Sequence, residues 1–197
     1  MAKRAKRAKT HGLEINYDVD YRDVKYPRLE FKTGNLLLVL PKNYKNEVAI
    51  LEKHKKWLRK KQFIIKTALE EAKKRSLNLN RTNEELKHFV QSVARNFQEE
   101  FNFKINNIYF RKMNSKWGSY SSKRNLTINT LLKYLPENLI DYVIFHEMAH
   151  TWERKHNERF WNIIGKKFKE YQAREKDLLV YWFLVQQMST NPRGLPE

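Results

Sequence analysis

The sequence predicts an α+β fold: a small N-terminal antiparallel sheet and a long helix, followed by a second region built around one helix rich in functional groups. Three observations carry this. Strand patterns mark the first 40 residues, an alternation over Leu13 to Val19 and a short apolar run at Leu36 to Leu40, and then give way to three- and four-residue spacing. A polar connector, Ser76 to Thr82, separates two helical stretches. Two further strand patterns then precede a helix that contains His146-Glu147-Met148-Ala149-His150.

The elements follow in order. Leu13, Ile15, Tyr17 and Val19 alternate with polar residues, the period of a half-buried strand. Leu29 to Lys32, the turn Thr33-Gly34-Asn35 and Leu36 to Leu40 read as strand, turn, strand, ended by Pro41. From Asn46 to about Arg75, Val48, Leu51, Trp57, Leu58, Ile64, Ile65, Ala68 and Leu69 recur at helical steps. Thr82 and Glu85 can form a capping box for a helix to about Glu100, burying Leu86, Phe89, Val90, Val93 and Phe97. Ile105 to Met113 is a strand, Asn114 to Asn125 a polar loop and Leu126 to Leu131 another strand. Pro136 suits the first turn of the helix that carries His146 and His150. Helices near 157–169 and 174–187 close the chain.

Bulk properties narrow the class. The chain has 197 residues, 41% of them hydrophobic, enough for a packed core. It has no cysteine, which removes disulfides, thiolate metal sites and a cysteine nucleophile. Met1 to Thr10 carries five Lys or Arg with no apolar segment behind it, unlike a secretory signal. Leu36 to Leu40, the longest aliphatic run, is far short of the roughly 20 residues a membrane span needs. A soluble, cytoplasmic protein is expected. The net charge of +18 suits polyanionic partners such as nucleic acid or nucleotides, through the basic surface and the N-terminal stretch.

The chemistry sits on one helix. Residues i and i+4 share a helical face, so His146 and His150 can point two imidazoles at one metal ion. Glu147 can then reach a water at the open metal position and act as general base, the arrangement of a zinc hydrolase. A third histidine, His156, follows six positions after His150. On a continuous helix it would lie about 120° off that face, so it can join only if the helix stops. Arg154 and Lys155 suit a last turn, and Asn157 suits the N-cap of the next helix. His156 is then the expected third ligand, with Glu153 and Glu158 as carboxylate alternatives. Tyr120, Arg111 and Lys116 are candidate donors to a developing oxyanion.

Several segments together resemble the YgjP-like metallopeptidase family, itself related to SprT-like and WLM metalloproteases. They are Lys116-Trp117-Gly118-Ser119-Tyr120-Ser121, Leu126-Thr127-Ile128-Asn129, Asp141 to His150, and His156-Asn157-Glu158-Arg159-Phe160-Trp161. The resemblance implies a minimal zincin-like domain with an active-site HExxH helix. It implies Zn2+ held by His146, His150 and His156, Glu147 as catalytic acid/base, and Trp117-Gly118-Ser119 near the site. Tyr120 stands where the family usually has cysteine, Met148 where it has leucine and Asn157 where it has serine. The expected organisation is a disordered basic tail over 1–12, a sheet plus helix over 13–80, a catalytic domain over 81–188 and a flexible tail over 189–197. The leading expectation is a peptidase acting on protein or peptide. The resemblance also brings in nucleoside triphosphate (UTP) pyrophosphatase activity, and the charge a nucleic-acid-binding module with a structural metal. Glu147 speaks against the last, because a structural site needs no such carboxylate.

Overall fold

The computed structural model describes residues 4–10, 13–32 and 34–190. The chain divides into two compact units, Met1–Glu71 and Ala72–Glu197, a boundary inside a helix and ahead of the expected 80/81.

The first unit holds a four-stranded sheet in the order β1-β2-β4-β3, from β1 (Arg4–Thr10), β2 (Leu13–Arg22), β3 (Arg28–Lys32) and β4 (Asn35–Pro41). Over its described residues the basic N-terminal stretch is therefore a strand, paired antiparallel to β2, and not a disordered tail. The sheet is mixed and not purely antiparallel, because β2 pairs parallel to β4. β3 and β4 form the expected hairpin, with Gly34 at φ 87° in its turn, a left-handed conformation that favours glycine. β4 is flanked on both sides, and Leu36 to Leu40 are all buried, which is why this strand reads as a continuous apolar run.

The long helix expected from Asn46 is two: α1 (Glu47–Lys53), capped by the Asn46 side chain on Ala49 N at 3.1 Å, and α2 (Lys55–Ala72). His54 kinks the join without interrupting the ladder. Its N–H reaches Ile50 O at 3.1 Å and its carbonyl accepts from Leu58 N at 2.9 Å. Ile50, Leu51 and Leu58 pack with Tyr17, Val19, Leu36, Leu38 and Leu40.

Glu47 ties α1 to the sheet. It accepts hydrogen bonds from Lys6 at 2.6 Å, Tyr21 at 2.6 Å and Tyr17 at 3.2 Å. Burial pushes its pKa up, but these three donors outweigh it and hold the carboxylate below its ordinary 4.5. A depressed carboxylate stabilises the fold above its unfolded pKa, and that contribution is lost as pH falls through the folded value. Glu47→Gln is therefore expected to lower stability by about 1–3 kcal/mol at neutral pH. The gap to wild type should close below about pH 4. Urea unfolding of both proteins at the two pH values checks this, and a pH-independent gap would contradict it.

The second unit opens with α3 (Asn83–Phe101). Thr82 and Glu85 form the reciprocal capping box, at 3.1 and 2.7 Å, and Asn102 ends the helix in the left-handed conformation at φ 54°. A three-stranded sheet follows in the order β5-β7-β6, from β5 (Asn107–Arg111), β6 (Gly118–Tyr120) and β7 (Asn125–Asn129). β6 lies within the stretch expected to be loop. It pairs antiparallel to β7, and β5 pairs parallel to it. A 3-10 turn over Thr130–Tyr134 leads to α4 (Glu137–Ala149), α5 (Glu158–Lys167) and α6 (Tyr171–Thr190). The C-terminal tail expected over 189–197 is helical through Thr190, and 191–197 lie outside the described residues.

α4 is the centre of this unit. Leu139, Ile140, Tyr142, Val143, Ile144, Phe145, Met148 and Ala149 are all buried. Phe145 meets Phe97, Phe101 and Phe103 edge-on, with centroids 5.0 to 5.8 Å apart. Such a helix has little freedom to rotate, and that fixes the direction of His146 and His150. Among the described residues no helix is long and apolar enough to cross a membrane.

Candidate metal centre

α4 ends where the three-histidine geometry requires. His150 is its C-cap, and the Thr151 and Trp152 N–H groups close the last turn on Met148 and Ala149 carbonyls. The chain bends, and Asn157 caps α5 by accepting from Phe160 N at 3.0 Å. His156 immediately precedes that cap. Its Nε2 lies 3.0 Å from His146 Nε2 and 3.2 Å from His150 Nε2. The three imidazoles form the one group among the described residues able to hold a metal ion, with all ligand atoms within 4.8 Å of one another.

The donor set fits a cation. His150 Nδ1 lies 3.0 Å from the Glu153 carbonyl, which fixes Nδ1 as donor and leaves the Nε2 lone pair facing inward. His146 Nδ1 lies 3.4 Å from a Glu175 carboxylate oxygen, with the same consequence. Burial holds the pKa values of His150 and His156 below the ordinary imidazole value, which favours the neutral form that binds a metal. Three imidazole nitrogens this close together can share one cation lying between them. Nitrogens around a tetrahedral zinc, with bonds of about 2.0–2.1 Å, are about 3.3 Å apart.

The bend explains how the turn is made with Glu153 in place of a glycine. Glu153 receives the His150 ring on its carbonyl, and its side chain accepts the Lys155 N–H at 3.1 Å. It braces the turn and stands outside the histidine group. Glu158 is exposed in the first turn of α5.

A family model described as "YgjP-like, metallopeptidase domain" matches residues 24–180, most of the chain. The chain belongs to the YgjP-like metallopeptidase family. It is a hydrolase of the metallopeptidase kind. Among solved structures, the metallopeptidase zymogen jannalysin of Methanocaldococcus jannaschii is 25% identical, covering 45% of this chain and 90% of that one, with a TM-score of 0.39. The zymogen abylysin of Pyrococcus abyssi is 18% identical, covering 54% and 99%, with a TM-score of 0.40. None of the curated proteins compared matches the chain.

In this YgjP-like protein the motif residues around the histidines have visible tasks. Phe160, fully buried, stacks on His150 with centroids 4.7 Å apart, and Trp161 lies tilted over His156 at 5.6 Å. The Trp117-Gly118-Ser119 segment is β6 and its approach. A Cβ placed on Gly118 would sit 2.7 Å from Glu147 Cγ, so the bare glycine lets the strand lie against the glutamate. The Tyr120 backbone lies near the Glu147 carboxylate and favours its charged form. Trp117 O and Ser121 N bond to β7, so the alternate residues Gly118 and Tyr120 turn their peptide groups toward the free edge. Burial raises the Glu147 pKa, outweighing the positive charge of Lys116 and the Tyr120 backbone, which both lower it.

Of the oxyanion candidates, Lys116 is the one whose charge reaches Glu147. The Tyr120 hydroxyl donates to the Lys104 carbonyl, and the Arg111 guanidinium lies over the Tyr109 ring at 5.6 Å.

Two residues that sequence reasoning missed support the site. Glu175 on α6 holds His146 and accepts from the Tyr142 hydroxyl at 2.6 Å. Burial would raise its pKa, but the hydrogen bonds from His146 and Tyr142 prevail and hold it below the usual range. Its only signal in the sequence is a carboxylate on the stripe shared by Tyr171, Leu178 and Trp182. Asn129 is fully buried, donating to the Met113 and Lys116 carbonyls at 2.8 Å each and accepting from Met113 N at 3.2 Å and Leu131 N at 3.1 Å. It pins the segment that leads into β6. Asn129→Leu strands these backbone groups and is expected to cost about 3 kcal/mol or more. Thermal unfolding measures it, and an unchanged midpoint would refute the role.

Proposed function

We propose that this protein is a zinc-dependent peptidase in which His146, His150 and His156 hold the metal and Glu147 is the general base. The observation that carries this reading is the convergence of three imidazole nitrogens at the end of the helix that also carries Glu147, a half-buried carboxylate packed against Gly118 of β6. Bound zinc would supply a Lewis acid and make a nearby water more acidic. Glu147 takes the proton from the attacking water and delivers it to the leaving amine. Its raised pKa suits both halves of that task, since a carboxylate of ordinary pKa returns a proton poorly at neutral pH. Lys116 adds positive charge where the oxyanion develops. The free edge of β6 offers backbone partners to an extended peptide.

The test uses the purified full chain. Zinc content should be close to equimolar, and hydrolysis of labelled casein should be abolished by chelation and restored by zinc. His156→Ala should lose zinc and turnover together. A zinc-free wild type, full metal retention in His156→Ala, or turnover confined to UTP would each overturn the proposal.

A further inference from the structure

The first unit carries a surface that the hydrolytic site does not use. Met1–Glu71 contains 18 Lys and Arg against 9 Asp and Glu. The excess concentrates between Lys53 and Lys66, where seven cations occur with no carboxylate. In the middle stands Phe63, 73% exposed, the most exposed large apolar side chain among the described residues.

The helix sets these groups on one face. Residues three, four and seven apart are neighbours on a helix surface. Phe63 therefore sits beside Arg59 and Lys60 on one side and Lys66 on the other, with Lys56 two turns away along the same stripe. All five side chains are exposed. The opposite side of α2 is already spent on the core, with Leu58 and Ala68 buried. Phe63 is thus an aromatic ring presented to solvent inside a ring of cations. On the flank of this face Trp57, 39% exposed, lies beside Lys53, Lys60 and Lys61 and against Phe31 at 5.7 Å.

We propose that this face of α2 binds single-stranded nucleic acid, with Phe63 stacking on a base and Lys56, Lys60 and Lys66 contacting phosphates. Interleaved rings and cations are what an unpaired strand offers partners for, since every base has a face to stack and every nucleotide a charge. A duplex keeps its bases stacked and would use only the cations. A membrane-surface helix inserts its apolar face, and here that face is buried within the protein. A second copy would bring a like-charged face. The proposal uses no residue of the metal centre and stands or falls apart from the peptidase reading.

The experiment is fluorescence anisotropy of the full chain with a labelled oligo-dT of about 20 nucleotides, titrated across salt. Wild type should bind at low salt with a negative log–log slope of about 0.7 per phosphate contacted. Phe63→Ala should weaken binding about tenfold or more with the slope unchanged. Lys60→Gln with Lys66→Gln should make the slope shallower by about 1.4. Circular dichroism and casein turnover of Phe63→Ala should match wild type. Absence of binding at low salt, equal affinity in Phe63→Ala, or equal or tighter binding of a duplex of the same length would overturn the proposal. So would tighter binding to phosphatidylserine vesicles, or displacement of the strand by poly-glutamate as effectively as by unlabelled oligo-dT.

Discussion

Glu147→Gln should abolish peptide hydrolysis and leave the metal in place. The amide keeps the shape of the carboxylate, so the contact with Gly118 survives. What disappears is the capacity to take and return a proton. Positioned general acid–base groups contribute about 10²–10⁴-fold, so turnover should fall at least into that range. Casein hydrolysis and zinc content measured on the same preparation make the comparison. Turnover within a few-fold of wild type would remove Glu147 from the chemistry, and loss of zinc would make its role structural.

Gly118→Ala should impair catalysis from outside the histidine group. The added methyl would lie 2.7 Å from Glu147 Cγ, a carbon near the root of the side chain that cannot swing away alone. Either β6 retreats, taking the Tyr120 backbone with it, or Glu147 shifts. Displacements of about 1 Å at a reacting group cost on the order of 10²-fold in rate. β6 is a three-residue edge strand, so the fold should tolerate the change. The expected result is a roughly hundredfold loss in kcat with zinc content and circular dichroism unaltered. Full turnover would show that the close approach has no bearing on Glu147.

What was legible in the sequence was local. The capping box at Thr82 and Glu85, the cap at Asn157 and the helix stop at His150 each depend on hydrogen bonds between residues within a few positions of one another. Residue type and spacing encode such contacts directly. The α+β class followed from the same periodicities. What escaped depends on partners remote in sequence. β2 lies parallel to β4 because β3 takes the far side of β4, and no local pattern records that choice. β1 carries basic residues that look like a tail until Glu47 and β2 are placed beside them. β6 hides in a polar stretch because its stabilising neighbours are β7 and Glu147. Glu175 and Asn129 look like ordinary polar residues until α6 meets His146 and β7 meets the Met113 to Lys116 segment.

That division between near and far has a thermodynamic consequence at the histidines. The three imidazoles fall within eleven residues, 146–156. A cation bridging them would close only short loops, and the entropy cost of closure is small when loops are short. Glu147 depends instead on β6, brought from about thirty positions earlier in the chain. Under rising denaturant the two should separate. The ion would persist in a partly opened protein after the strand has left the glutamate, giving a state that retains its metal and has lost its activity.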